Sequence, residues 1–186
     1  VTYVGYQLDQ DTGRAWRFAS PDDRSAWTDL VLGADGGKKA LRAHWSWRDP
    51  MVAAPAKPLA AAQPTTVLYR EPDGSLQFNA APPPGARTLE VRLRASSPAR
   101  ITSLSGVPIE VALTPGKWVK IYWNAPGNGL SATIKAAGPG RLDVRYVATV
   151  ERWPDGAVPL PARQADLMAW DDSDSTFITG TRAYAW

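Results

Sequence analysis

Apolar and polar residues alternate along most of the chain beyond residue 64, and this alternation predicts β-strands. The longest runs cover residues 89–95 and 142–150, where an apolar side chain stands at every second position. A period of two places one set of side chains on a buried face and the other set in water. Shorter runs predict further strands over residues 66–71, 76–79, 100–104, 109–113, 117–123, 130–136, 167–170 and 177–186.

Turn signals separate these runs at intervals of about ten residues, and this spacing points to the fold class. Most of the separators combine Gly with Pro, Ser or Asn, which supply the backbone angles of tight turns. Many short strands with such spacing are typical of an antiparallel sandwich. The sequence therefore predicts a mainly β protein, with an antiparallel β-sandwich over residues 65–186 and one short helix near the N-terminus.

Residues 1–49 predict a small strand-helix unit. Its two strands, over residues 2–8 and 14–19, are joined by a turn rich in Asp and Gly. A short helix is expected to follow, because Ser20 and Pro21 suit its first positions and apolar residues come next at helical spacing.

Residues 50–64 interrupt the strand and helix patterns of the segments on either side. Pro and Ala dominate this segment, and it shows neither a helical stripe nor a strand alternation. Proline fixes its own backbone angle and lacks an N–H donor, so the segment predicts an extended Pro/Ala-rich linker between two parts of the protein. The alternative is a strap that lies across the surface and joins residues 1–49 and 65–186 into one domain.

Composition excludes several kinds of catalytic site. The chain contains no Cys and a single His, His44, so thiolate nucleophiles, disulfides and Cys-ligated zinc are excluded. A catalytic zinc takes about three protein ligands, most of them His, which one His cannot supply. We interpret His44 as packed in an aromatic cluster with its Trp neighbours, rather than as a ligand or a general base. No catalytic residue and no cofactor is predicted for this chain.

The charge pattern bears on partners. The formal net charge is +3, and the basic residues are scattered. Arg92, Arg94 and Arg100 are the nearest candidate for a basic stripe, and we interpret them as the water-facing side of a strand. Nucleic-acid binding is therefore not expected, because it uses a stripe of Lys and Arg. No apolar run of about 18 residues occurs, so no transmembrane segment is predicted.

Asp171, Asp172 and Asp174 are the candidate metal ligands. Carboxylates and hydroxyls this close in sequence suit calcium, which takes about six to eight oxygen ligands. The stretch lacks the spacing and the terminal Glu of an EF-hand. Asp and Ser also favour plain turns, because their side chains accept hydrogen bonds from nearby backbone amides. A turn is the favoured interpretation, and a calcium site is the alternative.

Nine Trp residues are more than a core of this size requires. Exposed aromatic rings can stack on sugar rings, and Trp is also favoured at interfaces. Packing inside the protein is the favoured interpretation for most of them, and ligand binding is the alternative, with Trp45, Trp47, Trp123 and Trp153 as its candidate residues. Trp118 and Trp123, five positions apart, are expected on opposite faces of one strand.

Both ends of the chain carry short motifs that resemble one protein family. The opening motifs are Tyr6-Gln7-Leu8-Asp9, Ala15-Trp16 and Ala26-Trp27-Thr28, and the closing motifs are Leu142-Asp143-Val144-Arg145-Tyr146-Val147-Ala148, Pro159-Leu160-Pro161, Met168-Ala169-Trp170-Asp171-Asp172-Ser173-Asp174-Ser175-Thr176 and Thr179-Gly180-Thr181. They resemble the closing soluble region of bacterial membrane-anchored zinc aminopeptidases of the transferrin-receptor-like metallopeptidase family, peptidase family twenty-eight. The middle strands do not share the resemblance.

The resemblance implies a parent protein in which a peptidase domain and several membrane helices precede this region. The zinc site of that family needs two His ligands and several carboxylates, so any zinc and any catalysis belong to the parent. The implied function is a non-catalytic accessory domain, periplasmic or extracytoplasmic, that modulates substrate access, assembly or partner binding. Its implied partners are its own upstream peptidase and membrane domains. The alternative is a sandwich module that binds carbohydrate or another ligand, such as a peptide, through exposed Trp; a free-standing hydrolase is a third hypothesis.

Overall fold

The computed structural model describes residues 1–34, 36, 39–41, 50–124 and 126–186, and only the backbone of residues 39–41 and 126. Within these ranges the chain forms one α-helix, α1 (Ala26–Leu32), and short 3-10 turns at Pro21–Asp23 and Pro126–Asn128. The strands are β1 (Val4–Asp9), β2 (Arg14–Ala19), β3 (Lys39–Leu41), β4 (Met51–Ala56), β5 (Thr65–Arg70), β6 (Leu76–Ala81), β7 (Thr88–Ala95), β8 (Ala99–Leu104), β9 (Val107–Leu113), β10 (Val119–Trp123), β11 (Leu130–Ala136), β12 (Arg141–Val150) and β13 (Ser175–Ala185).

The predicted fold class is confirmed: the protein is mainly β, with two sheets of mostly antiparallel strands and its helix near the N-terminus. The strand predicted over residues 167–170 is wrong. Only Ala169 forms a bridge there, to Thr2, and the turn that begins at Asp171 ends the pairing. No helix among the described residues is long and apolar enough to cross a membrane.

The helix begins later than the sequence predicted. Ser20 caps the 3-10 turn at Pro21–Asp23 instead of the α-helix. The cap of α1 is Ser25, whose Oγ accepts a hydrogen bond from the Thr28 backbone N–H at 3.2 Å while its own N–H donates to the Thr28 hydroxyl at 2.8 Å. This reciprocal capping box satisfies two N–H groups that a helix start leaves unpaired, which explains why α1 starts there.

The chain divides into two compact units. Unit 1 contains Val1–Ala61 and Thr149–Thr179, and unit 2 contains Ala62–Ala148 and Gly180–Trp186. In unit 1 the strand order is β13-β1-β2-β4-β3. Its helix contributes to a core cluster made of Val4, Ala19, Trp27, Val31, Leu32 and Ala54. The domain boundaries predicted at residues 49 and 64 stay predictions.

Part of the Pro/Ala segment is a strand, although its sequence shows no strand alternation. β4 pairs antiparallel with β2, with Ala56 opposite Ala15 and Val52 opposite Ala19. Ala53 and Ala54 are fully buried. Small side chains bury little apolar area, so the sequence pattern there is weak even though the backbone is fully paired. Met51–Ala56 are extended, as predicted for residues 50–64, and they also pair as β4; the linker and strap interpretations of the segment stay predictions.

Unit 2 contains both sheets of a sandwich. One has the order β10-β7-β12-β13, and the other has the order β5-β6-β11-β8-β9. Alternate residues of β6, β7, β11 and β12 are buried. The largest fully buried side chains of unit 2 are Phe78, Leu89, Leu93, Ile101, Leu113, Leu130, Ile134, Leu142 and Tyr146. Because alternation buries one face of each sheet, the residues between them form two outward faces.

Gly5 makes room for an aromatic pair in unit 1, and its substitution is the first test of the fold. The rings of Phe18 and Phe177 lie 5.6 Å apart, and a Cβ at position 5 would overlap Phe18 and lie 2.8 Å from Phe177. We expect Gly5→Ala to lower the free energy of unfolding by about 1–3 kcal/mol through overpacking, measured by urea denaturation. Gly138→Ala is the control, because nothing lies within 4 Å of its Cβ position. Equal losses in the two variants would contradict this packing.

Candidate functional site

The outward face of the five-stranded sheet carries uncharged polar side chains in two rows. Gln77 in β6 lies opposite Thr133 in β11, and Asn79 lies opposite Ser131. β5 extends both rows, with Tyr69 opposite Gln77 and Val67 opposite Asn79. We call this surface the amide-hydroxyl face, defined by Val67, Tyr69, Gln77, Asn79, Ser131 and Thr133. All six belong to unit 2.

Hydrogen bonds hold the amide-hydroxyl face in one arrangement. The Thr133 hydroxyl donates to Gln77 Oε1 at 3.0 Å, and Gln77 Nε2 donates to Asn79 Oδ1 at 3.3 Å and also to Ser131 Oγ. Ser131 Oγ donates to Asn79 Oδ1 at 2.9 Å. The Asn79 amide nitrogen donates to no group in the described part of the chain, so it offers a fixed donor to a ligand. Fixed polar groups lose little side-chain entropy when a ligand binds.

A groove of about 420 Å³ lies beside this face. Its lining includes Val67, Asn79 and Ser131 of the face, together with Asn128 and Gly129. Gly129 has a φ of +64°, and a Cβ there would lie 2.9 Å from the Ala80 carbonyl oxygen. Only glycine fits this position without strain. The volume falls within the range of small-ligand sites, about 300–1,000 Å³.

Two large side chains of β5 project into solvent at the edge of the face. Tyr69 is 43% exposed and Val67 is 45% exposed. An exposed tyrosine ring offers an apolar surface and a hydroxyl that can donate or accept. The site therefore combines amide donors and acceptors with one aromatic surface and carries no charge among its six residues.

The outward face of the other sheet of unit 2 is charged. Arg94 donates to Asp143 Oδ2 from Nε at 3.2 Å and from Nη2 at 2.9 Å, and Arg141 Nε donates to Oδ1 at 2.7 Å. Burial by itself would raise the pKa of Asp143, but the hydrogen bonds and charges of Arg141 and Arg94 lower it below its ordinary value. Burial raises the pKa of Glu90 on the same face, and Arg92 and Lys120 offset only part of that rise.

The predicted Trp candidates have different surroundings. Trp153 is half-buried, packs edge to face on Tyr6 at 5.7 Å, and donates from Nε1 to the Val158 carbonyl at 3.0 Å. Trp123 is half-buried in β10, in register with the buried Leu89. Their role in ligand binding stays a prediction. Trp45 and Trp47, like His44, lie outside the described residues.

The predicted acidic candidates form a turn. Asp174 Oδ1 accepts hydrogen bonds from Arg163 Nη2 at 2.6 Å and from Ser173 Oγ at 2.9 Å. Asp171 Oδ1 accepts from the Asp172 N–H at 3.1 Å, and Asp172 and Asp174 both have positive φ. No group of three His, Cys, Asp or Glu residues among those that the structure describes is placed to hold a metal ion. The calcium alternative stays a prediction.

Sequence reasoning missed the amide-hydroxyl face, although its signal is present in the sequence. Residues 76–80 and 130–134 alternate apolar and polar positions, and the polar ones are amides and hydroxyls rather than charges. The sequence pattern does not show which strands are neighbours. The pairing of β5, β6 and β11 is what brings these positions into two rows.

Comparisons of this chain with protein-family models, with curated protein sequences and with solved structures each found no match. The functional conclusions below therefore depend on the geometry of the chain and on the motifs at its two ends.

The ion pairs of Asp143 predict an acid-dependent part of the stability. Folding favours the ionised carboxylate, so this stability is fully present above the ordinary pKa of 3.8 and is lost as pH falls through the lower value in the folded protein. We expect urea denaturation of the wild type to lose more stability between about pH 5 and pH 2 than that of Asp143→Asn. Asp166→Asn, in an exposed turn, is the control and should follow the wild type. A wild-type profile that coincides with that of Asp143→Asn would contradict the role of these pairs.

Proposed function

We propose that this chain is a non-catalytic binding domain whose amide-hydroxyl face binds a neutral carbohydrate. The observation that supports the proposal is the hydrogen-bonded network of Gln77, Asn79, Ser131 and Thr133, which orients the Asn79 amide donor on the same face as the exposed ring of Tyr69, the register partner of Gln77. The groove of about 420 Å³ next to Asn79 has room for a small ligand.

Carbohydrate chemistry fits this surface better than a charged ligand does. A sugar hydroxyl both donates and accepts, and an amide side chain offers a donor and an acceptor at a fixed separation. The C–H face of a pyranose ring is apolar, and the Tyr69 ring offers a matching apolar surface. None of the six side chains of the face is charged, which favours a neutral ligand. In this proposal Tyr69 has the stacking role that the sequence suggested for Trp.

Binding of neutral oligosaccharides tests the proposal. The probes are β-1,4-linked oligomers of glucose, xylose and N-acetylglucosamine and an α-linked mannose oligomer, titrated by calorimetry. We expect at least one probe to bind, and Tyr69→Ala and Asn79→Ala each to weaken it by about tenfold, equivalent to about 1.4 kcal/mol.

Matched variants exist elsewhere in unit 2. Tyr122→Ala removes a tyrosine of similar exposure, 55%, from β10, and Asn124→Ala removes an exposed amide outside the groove. Both should bind as the wild type does. If no probe binds the wild type, or if the control variants lose as much affinity as Tyr69→Ala and Asn79→Ala, the proposal is wrong.

A second proposal rests on the two motif-bearing ends of the chain. Within unit 1, Trp27 Nε1 donates to the Pro161 carbonyl at 3.0 Å, and the Arg163 guanidinium lies 4.2 Å from the Trp27 ring centre. The Thr2 N–H donates to the Met168 carbonyl at 2.8 Å. The opening motifs and the closing motifs at 159–161 and 168–176 therefore lie in one compact unit, whereas the motif at 142–148 belongs to unit 2. This supports a role as the accessory domain that closes a membrane-anchored, zinc metallopeptidase-like protein outside the cytoplasm.

The reading frame upstream of Val1 tests this second proposal. We expect it to encode a region with several His and acidic residues spaced for a two-zinc site, followed by several apolar segments of about 20 residues each. Sequencing the gene from which the chain derives tests this expectation. A short secretory leader that ends directly before Val1 would contradict the accessory role and leave the carbohydrate proposal unaffected.

A further inference from the structure

One guanidinium on the charged face of unit 2 forms no ion pair with any carboxylate that the structure describes. Arg145 projects from β12 on the same side as Asp143 and is partly buried. Within the described part of the chain it makes no hydrogen bond and no ion pair. Its one specific contact is with Trp118, whose ring centre lies 4.3 Å from the Arg145 Cζ atom.

The two carboxylates of the face are already used by other cations. Both Asp143 oxygens accept hydrogen bonds, Oδ2 from Arg94 and Oδ1 from Arg141. Glu90 Oε2 accepts from Arg92 at 3.1 Å, and the Lys120 ammonium lies 3.9 Å from Oε1. Neither carboxylate accepts a hydrogen bond from Arg145.

This face therefore carries more positive than negative charge. The basic residues are Arg92, Arg94, Lys120, Arg141 and Arg145, and the acidic ones are Glu90 and Asp143. The excess of three positive charges equals the formal net charge of the whole chain, +3. Partial burial, followed by the charges of Arg94 and Arg92, lowers the pKa of Arg145, and Asp143 compensates in part. An anion beside Arg145 would relieve this repulsion.

Trp118 holds two guanidiniums in place. Arg94 also lies over its ring, with Cζ 4.5 Å from the ring centre. Trp118 directly precedes β10, and Lys120 and Tyr122 continue the same outward side of that strand, opposite Arg92 and Glu90. Stacking on a ring restricts a guanidinium while its N–H groups stay free to donate in the ring plane. The Arg145 donors are thus oriented before any ligand arrives.

We propose that Arg145, oriented by Trp118 and flanked by Arg94, forms a binding site for the oxyanion of a small ligand, a carboxylate, sulfate or phosphate group. Arginine matches these groups because its planar fork donates two parallel hydrogen bonds to their oxygens. The site lies on a different sheet from the amide-hydroxyl face and does not depend on the function proposed for that face.

Titration with inorganic phosphate tests the site. The readout is the Trp118 indole N–H signal in ¹⁵N NMR, identified by its absence in Trp118→Phe, with sodium chloride added to keep the ionic strength constant. We expect a saturable shift with a Kd of about 1–10 mM, as suits one guanidinium and a small ion. Arg145→Gln should weaken binding at least about tenfold, and Arg145→Lys should weaken it less, because the charge remains while the fork is lost.

Arg100→Gln is the matched control, because it removes the same charge from an exposed position in β8, where Arg100 lies 3.8 Å from Glu110. It should bind phosphate as the wild type does. Tyr69→Ala should also bind normally, which separates this site from the proposed carbohydrate face. Inorganic sulfate and a sulfated dextran oligomer then distinguish a free ion from a group carried on a sugar, and Arg145 dependence with either supports the site.

Two results would overturn the proposal. One is a Trp118 signal that does not respond to any of these anions, or that responds without saturating. The other is equal loss of binding in Arg145→Gln and Arg100→Gln, which would mean general attraction to a cationic surface. Urea denaturation of Arg145→Gln monitors folding, and Arg145→Lys keeps the test valid if Arg145→Gln is unstable.

Discussion

The alternation of apolar and polar side chains along the strands of unit 2 is the constraint on which the rest of the structure depends. It buries Phe78 and Leu89 on the inner faces of two sheets, and the residues that alternate with them along the strands lie on the outward faces. Without cysteine, no disulfide supports this arrangement, so burial of apolar area has to supply the stability. The residues of the outward faces contribute little to that buried area, so their composition can serve a function.

The two outward faces differ in chemistry because their polar groups are satisfied differently. On the amide-hydroxyl face, Gln77 and Asn79 bond mainly to each other and to neighbouring hydroxyls, so the network is neutral and ordered. On the charged face, two carboxylates serve four cations, and the fifth, Arg145, rests on Trp118 and pairs with neither carboxylate. The lack of an ion pair to Arg145 among the described residues, rather than the number of basic residues, makes that position a candidate site.

Long-range contacts explain where sequence and structure disagree in unit 1. β1 pairs with β13 in parallel, and the Asp174 N–H donates to the Val4 carbonyl at 2.9 Å, so the tail is held by residues far away in sequence. β4 forms because β2 and β3 lie on either side of it, although its Ala and Pro residues favour no regular structure. The helix start moved to Ser25 because the capping box with Thr28 is a better local solution than Ser20 followed by Pro21.

The sequence by itself determined the fold class, most strand positions and the opposite faces of Trp118 and Trp123, because a period of two is a local property. It also excluded thiol and multi-histidine chemistry, because no folding can add residues that the chain lacks. Only the tertiary structure decided which strands are neighbours, and hence that Tyr69 lies beside Gln77 and that Asp143 and Glu90 pair with other cations than Arg145. Those facts depend on pairing between distant segments, which alternation along one strand does not encode.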